Sequence, residues 1–388
     1  MLSQRVQVLS ESLTMAITTL AREMKAEGKD ILSFSAGEPD FDTPQIVKDA
    51  AIKAIEGGFA KYTAVPGIPE VLEAIAVKLK RDHGLDYAPS EIITNVGAKH
   101  SLFNIFQALL NEGDEVIIPA PYWVTYPEIV LFSGGKPVVI DTDESSDFKI
   151  TPAQLKAAIT DKTRAIILNT PSNPTGSIYT KEEILALGEV LKGTNVLVIS
   201  DEMYEKLTYG KTFTSVASVS EDMFNRTITT NGLSKCAAMP GWRFGYMASP
   251  LKELNAAVKK LQSQSTSNIT SIVQKAAIPA LLGEADEALE DMKVAFKRRR
   301  DMAVKMFNDI PGLSVMNPDG AFYLYVNIKE VEPDSMKFCK ELLAQKGVAT
   351  VPGVGFGCDG YLRFSFATDD ATIKKGIERI AEFVKEYK

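Results

Sequence analysis

Val196-Leu197-Val198-Ile199-Ser200 runs directly into Asp201-Glu202-Met203-Tyr204. The first five residues are apolar or small on both alternating faces, as in a strand covered by helices on both sides, and an acidic residue closes the run. Comparable short runs recur at Glu91 to Val96, Glu115 to Pro119, Pro137 to Asp141, Arg164 to Leu168 and Thr227 to Thr230, separated by helical stretches. This alternation predicts an α/β fold, with a three-layer α/β/α large domain on a mostly parallel sheet. Ligands of such sheets sit beyond the carboxyl ends of the strands, where Gly97, Asn169, Asp201 and Asn231 fall.

Working outward, Val47, Ala50, Ala51, Ala54 and Ile55 repeat at helical spacing and predict a helix from Gln45 to Glu56, stopped by Gly57-Gly58. A second helix follows Pro69, and Thr180 with Glu183 forms a capping box for a third. A long helical region is expected from Pro250 to Asp309, with Lys297-Arg298-Arg299-Arg300 as a solvated face. Beyond Pro311 the pattern becomes strand (Ala321 to Asn327), helix (Ser335 to Gln345), two strands (Val348 to Val351, Tyr361 to Phe366) and a terminal helix (Asp370 to Tyr387). That is a small α+β domain. The expected division is residues 1–44 joining the small domain, 45–310 as the large domain and 311–388 as the small one.

The chain has 388 residues, 45% hydrophobic and 24% charged, which are ordinary globular values. A formal net charge of -7 and the lack of a basic stripe argue against nucleic acid as a partner. Cys236, Cys339 and Cys358 are odd in number and have no metal-ligand spacing, so neither a disulfide framework nor a metal site is expected. With no apolar run approaching about 18 residues and no basic start before an apolar core, no membrane span is expected and the protein reads as cytoplasmic.

Chemistry concentrates in a few places. Asn231-Gly232-Leu233-Ser234-Lys235-Cys236 leads to Pro240-Gly241-Trp242-Arg243-Phe244-Gly245. A lysine amine among small residues, eight positions before an arginine, suits imine formation with an aldehyde cofactor whose phosphate the arginine neutralises, which points to pyridoxal 5'-phosphate. Asp201 can hold a pyridine nitrogen protonated while Tyr204 donates to the ring's phenolic oxygen; a helix-capping aspartate with a packed tyrosine fits the same letters. Val96-Gly97-Ala98-Lys99 ends a strand and opens a helix, whose free N–H groups suit a phosphate. Asn173, fixed before Pro174, can present its amide to a ligand or serve as a plain turn residue. Trp123 can stack on a planar ring or pack in the core. Arg363, inside the apolar strand Tyr361-Leu362-Arg363-Phe364, needs a partner, either a substrate carboxylate or an internal salt bridge.

These blocks, in this order, resemble the class I aminotransferases, pyridoxal-phosphate enzymes of fold type I, and in particular their bacterial aspartate/prephenate branch. The resemblance runs nearly end to end, through Ser35 to Pro44, Lys61-Tyr62-Thr63, Ala120 to Val124, Pro171 to Gly176, Ser200 to Tyr204, Lys235 to Gly245, Gly320 to Tyr323 and Leu362 to Ser365. It implies Lys235 as the Schiff-base lysine, Asp201 at the pyridine nitrogen, Tyr204 and Asn173 at the phenolic oxygen, and Trp123 stacked on the ring. The implied phosphate ligands are Gly97, Ala98, Lys99, Arg243, and Tyr62 from a second subunit of a homodimer with shared active sites. Arg363 and Asn173 would take the substrate α-carboxylate, with the Gly37 backbone close by. Lys99 would meet a distal carboxylate, and Thr14 goes with acceptance of prephenate. The chain departs from many relatives in having Gly232 where they carry a serine, three residues before the lysine, which leaves Ser234 as a partial substitute. The implied activity is ping-pong transamination of aspartate with 2-oxoglutarate, and of prephenate. The alternatives are another fold type I enzyme, such as a β-lyase, or an aminotransferase for aromatic or aliphatic amino acids.

Overall fold

Seven strands meet in one sheet in the computed structural model, which describes residues 2–10 and 13–387. In chain order the strands are β1 (Leu32–Ser33), β2 (Ile92–Val96), β3 (Glu115–Ala120), β4 (Lys136–Asp141), β5 (Thr163–Asn169), β6 (Leu197–Asp201), β7 (Thr227–Gly232), β8 (Phe244–Ala248), β9 (Ser314–Val315), β10 (Tyr323–Asn327), β11 (Val348–Ala349), β12 (Val351–Pro352) and β13 (Tyr361–Ser365). The large sheet has the order β2-β8-β7-β6-β5-β3-β4. Every pair from β7 to β4 is parallel, whereas β8 is antiparallel to both β7 and β2. Two reversals cancel, so β2 runs in the same direction as the parallel block and ends at the same edge as β5 and β6.

Helices cover both faces, as continuous apolar strands require. Tyr246 and Met247 are neighbours in β8 yet enter different cores. Tyr246 joins the helices Gln45–Glu56, Pro69–His83 and Ser271–Leu282, while Met247 joins Ala98–Leu109 and Thr125–Phe132. The fold is therefore α/β with three layers. The helix Lys181–Leu191 starts at the expected capping box: Thr180 Oγ1 accepts from Glu183 N at 3.2 Å, and Thr180 N donates to the Glu183 carboxylate at 2.7 Å.

A second sheet, β12-β13-β10-β9, is antiparallel and packs with the helices Ser335–Lys346 and Asp370–Glu386. The N-terminal residues pack here: β1 pairs with β11, and Phe34 stacks on Phe364 with ring centroids 4.1 Å apart. The helix Asp286–Asn308 runs from one core to the other. Leu289 belongs to the large-sheet side, and Met292, Phe296, Ala303 and Phe307 to the small-sheet side.

The helical region is resolved into its parts, one strand is added, and one expectation is corrected. The region Pro250 to Asp309 forms three helices, Lys252–Ser263, Ser271–Leu282 and Asp286–Asn308. Strand β8 was absent from the sequence reading, because its residues follow directly on the Lys235–Gly245 block. The basic run is only half solvated, since Arg299 and Arg300 are buried. Arg299 makes a two-pronged contact with Asp40 at 2.8 and 3.0 Å, and Arg300 donates to the Pro318 carbonyl at 2.9 Å.

Candidate active site

The carboxyl edge of the large sheet faces the small sheet across a cavity of about 310 Å³. Thr14, Gly37, Ala98, Lys99, Trp123, Asn173, Asp201, Tyr204, Lys235, Arg243 and Arg363 all line it. Residues as far apart in the chain as 14 and 363 thus share one wall system. Gly97 lies at its edge as the N-cap of Ala98–Leu109. Tyr62 does not line it, and its side chain is 91% exposed. Asn231 also stays outside: it is buried in β7, with its side-chain oxygen accepting from Gly232 N at 2.7 Å.

Lys235 follows β7 and donates from Nζ to the Gly37 carbonyl. Burial pulls its ammonium down to about 8; the nearby Glu38 carboxylate opposes this, and the Arg363 and Arg243 cations reinforce it. At pH 7 about a tenth of such an amine is unprotonated, against roughly three in ten thousand for an ordinary lysine.

Asp201 closes β6 and is buried. Burial pushes its carboxyl above the usual range, against the lowering effect of its donors. Those donors are Tyr126 Oη at 2.7 Å and Met203 N at 3.3 Å. Asp201 ends a strand and caps no helix, so the capping alternative does not apply. Tyr126 carries no signal in the sequence beyond an aromatic residue in an apolar helix. Its hydroxyl role depends on what the fold sets opposite it.

Gly97 has φ of 76° and provides no side-chain cap for the 12-residue helix that follows. The N–H groups there are open to an anion. A Cβ on Gly97 would collide with the Arg243 guanidinium, which donates to the Val96 carbonyl at 3.3 Å and the Pro240 carbonyl at 2.8 Å. The arginine and the helix start thus form one cationic cradle that only glycine leaves open. Lys99 is exposed as a residue, yet its ammonium lies 4.8 Å from the Trp123 ring centroid. Burial at the cavity wall, helped by Arg243, lowers it from the ordinary lysine value.

Arg363 is 2% exposed and, among the described residues, pairs with no carboxylate, so the internal salt bridge is not formed. Nη1 donates to Asn173 Oδ1 at 2.9 Å and Nη2 to the Ser35 carbonyl at 2.8 Å, while Nε has no partner. A buried cation with neutral partners and a free donor suits an incoming carboxylate.

Gly232 is fixed by packing: a Cβ there would sit 2.6 Å from the Phe244 carbonyl oxygen and 3.1 Å from Gly245 Cα. No serine fits at this point of the β7–β8 ladder. Ser234 lines the cavity instead.

The family model for aminotransferase class I and II matches residues 29–380. The chain is similar to the aspartate aminotransferase of Bacillus subtilis, 48% identical over 392 residues, with 100% of this chain and 99% of that one covered. It is 45% identical over 396 residues to the aspartate/prephenate aminotransferase of Nitrosomonas europaea, covering 99% of each. Among solved structures, the aspartate aminotransferase from Rhizobium meliloti superposes with a TM-score of 0.96 at 42% identity over 100% of both chains. That of Thermus thermophilus with maleate gives 0.95 at 41% identity, covering 98% of this chain and 99% of the other.

Proposed function

The chain belongs to the class I and II aminotransferases, and from that premise we propose that it moves the amino group of aspartate to 2-oxoglutarate with pyridoxal 5'-phosphate, and also accepts prephenate. The observation that carries this reading is the pairing, in one cavity, of the Lys235 amine with a buried arginine that, among the described residues, meets no carboxylate and keeps a free Nε donor. A base and a carboxylate anchor are the two things an α-amino acid needs.

The residues fit the cofactor at each of its ends. The Gly97–Arg243 cradle suits the phosphate, with backbone N–H groups of Ala98 and Lys99 and, from a second copy, the exposed Tyr62. Asp201, a buried acid facing the cavity, suits the ring nitrogen; Tyr204 and Asn173 suit the ring oxygen, and Trp123 the ring face. Bound there, pyridoxal phosphate supplies an aldehyde that exchanges amines with the substrate and a protonated ring that takes up electron density as the Cα–H bond breaks.

The protein's own groups do the rest. Arg363, steered by Asn173 and the Ser35 carbonyl, binds the α-carboxylate and turns the single Cα hydrogen toward Lys235. Lys235, as a free amine, would take that proton from Cα and hold it for return within the site. Asp201 keeps the ring nitrogen protonated through the transfer, which needs a carboxylate; the Tyr126 and Met203 donors favour that anion against its burial. Lys99, stacked on Trp123, is set to meet the distal carboxylate, and Thr14 lines the same cavity. The maleate bound by the Thermus thermophilus relative is likewise a dicarboxylate.

The test is amino transfer from aspartate to 2-oxoglutarate, read as glutamate formed. Lys235→Ala should lose the visible absorbance of bound cofactor together with turnover. Pyruvate and ammonia released from a β-substituted amino acid, with no oxo acid present, would assign lyase chemistry instead.

A further inference from the structure

Tyr323 borders the same cavity and is 1% exposed, yet the chemistry above makes no use of its hydroxyl. Its strand, β10, sets it opposite Ser365 of β13, so that Arg363, two residues away on the same face, is its diagonal neighbour. Three contacts follow. The Tyr323 hydroxyl lies 2.9 Å from the Tyr204 hydroxyl. Its ring lies under Arg363, with the guanidinium carbon 4.4 Å from the ring centroid. Its oxygen also occupies the space that Gly37 leaves by lacking a side chain, since a Cβ there would sit 2.7 Å away, and Gly37 carries the carbonyl that accepts from Lys235.

A tyrosine hydroxyl has one proton and can donate it to one acceptor. Tyr204 and Tyr323 are both buried, and the bond between them can run in either direction. If Tyr204 gave its proton to Tyr323, it would have none for a ligand. Once Tyr204 donates to a ring oxygen, the bond must run from Tyr323 to Tyr204, and a donated bond makes Tyr204 a stronger donor in turn. We propose that Tyr323 is a positioning residue for both halves of the site: its hydroxyl aims the Tyr204 proton at the cofactor's ring oxygen, and its ring supports the Arg363 guanidinium that takes the substrate carboxylate. This rests on the aminotransferase reading above. Plain core packing against Phe322, 4.7 Å away between ring centroids, would need the ring alone.

The two functions separate by substitution in the holoenzyme. Tyr323→Phe keeps the ring and removes the hydroxyl. Tyr204 then stabilises the anionic ring oxygen less, a proton shared with that oxygen is held more tightly, and the pH midpoint of the cofactor's visible absorbance rises by about one unit. Maleate binding stays close to wild type in this variant. Tyr323→Leu also removes the ring, and maleate binds about tenfold more weakly. An unchanged absorbance midpoint in Tyr323→Phe overturns the proposal, and so does unchanged maleate affinity in Tyr323→Leu. If Tyr323→Leu does not fold, Tyr323→Phe decides alone. A wild-type protein that develops no visible band with pyridoxal phosphate would instead sink the aminotransferase reading on which the proposal stands.

Discussion

Arg363 keeps a full positive charge away from water with only an amide oxygen and a backbone carbonyl as hydrogen-bond acceptors. Burial accordingly lowers its hold on the proton. Its planar fork is what a carboxylate matches, and lysine offers a single point charge instead. Arg363→Lys should therefore fold but lose about 100-fold in kcat/KM for aspartate. Steady-state kinetics check this, and an unchanged KM would move carboxylate recognition elsewhere. Arg363 was legible in the sequence because a charge inside an apolar strand requires an explanation. Tyr126 and Tyr323 were not, because a tyrosine among apolar residues reads as core and only the tertiary fold decides what its hydroxyl meets. Gly232 was visible as a departure, but its cause, the carbonyl of Phe244, is a cross-strand neighbour that linear spacing does not reveal.

At the scale of elements, the turn after β6 is held from behind. Glu205 is buried, contacts Lys78 and accepts from His83 Nε2 at 2.6 Å, both partners being on the helix Pro69–His83. Asp82, His83 and Glu205 offer ligand atoms within 4.8 Å of one another, but the ammonium groups of Lys78 and Lys206 already answer their charge. Burial alone would push the Glu205 carboxyl up; Lys78 and His83 outweigh it and bring it to about 2 from 4.5. A depressed carboxyl contributes stability that is complete above its unfolded value and disappears as pH falls through its folded one. Glu205→Gln should thus cost about 3 kcal/mol at neutral pH. The gap to wild type should close as pH drops from 4.5 toward about 2. Urea denaturation of both proteins across that range checks it, and a gap independent of pH would assign the loss to packing. The strands β2 to β7 were readable from their apolar runs. Strand β8 was hidden, since Phe244 to Ala248 continues a block already read for its chemistry.

Across the whole molecule, Arg299 links three distant parts of the chain. From the helix Asp286–Asn308 it reaches Asp40, two residues after the Glu38 that faces Lys235, and Asp370 at the start of the terminal helix at 3.4 Å. Removing it leaves Asp40 and Asp370 without this shared partner. Arg299→Ala should lower stability by about 2 kcal/mol and raise KM for aspartate by loosening the Gly37–Asp40 loop. Urea titration and kinetics together check this; a stability loss with unchanged KM would confine Arg299 to the scaffold. The α/β class and the location of the cavity at the strand ends could be read from alternating apolar runs. The tie made by Arg299 could not, because four consecutive basic residues on a helix look solvated until the fold covers two of them.

The pairing of β1 with β11 also sets an order of events during synthesis. Leu32 and Ser33 find their strand partners in Val348 and Ala349. Ser35 and Gly37, which hold the arginine and the lysine through their carbonyls, follow directly on that early strand. A chain leaving the ribosome can therefore assemble its parallel sheet while β11 is still unmade, and the segment that carries Ser35 and Gly37 is seated only once Val348 and Ala349 have emerged.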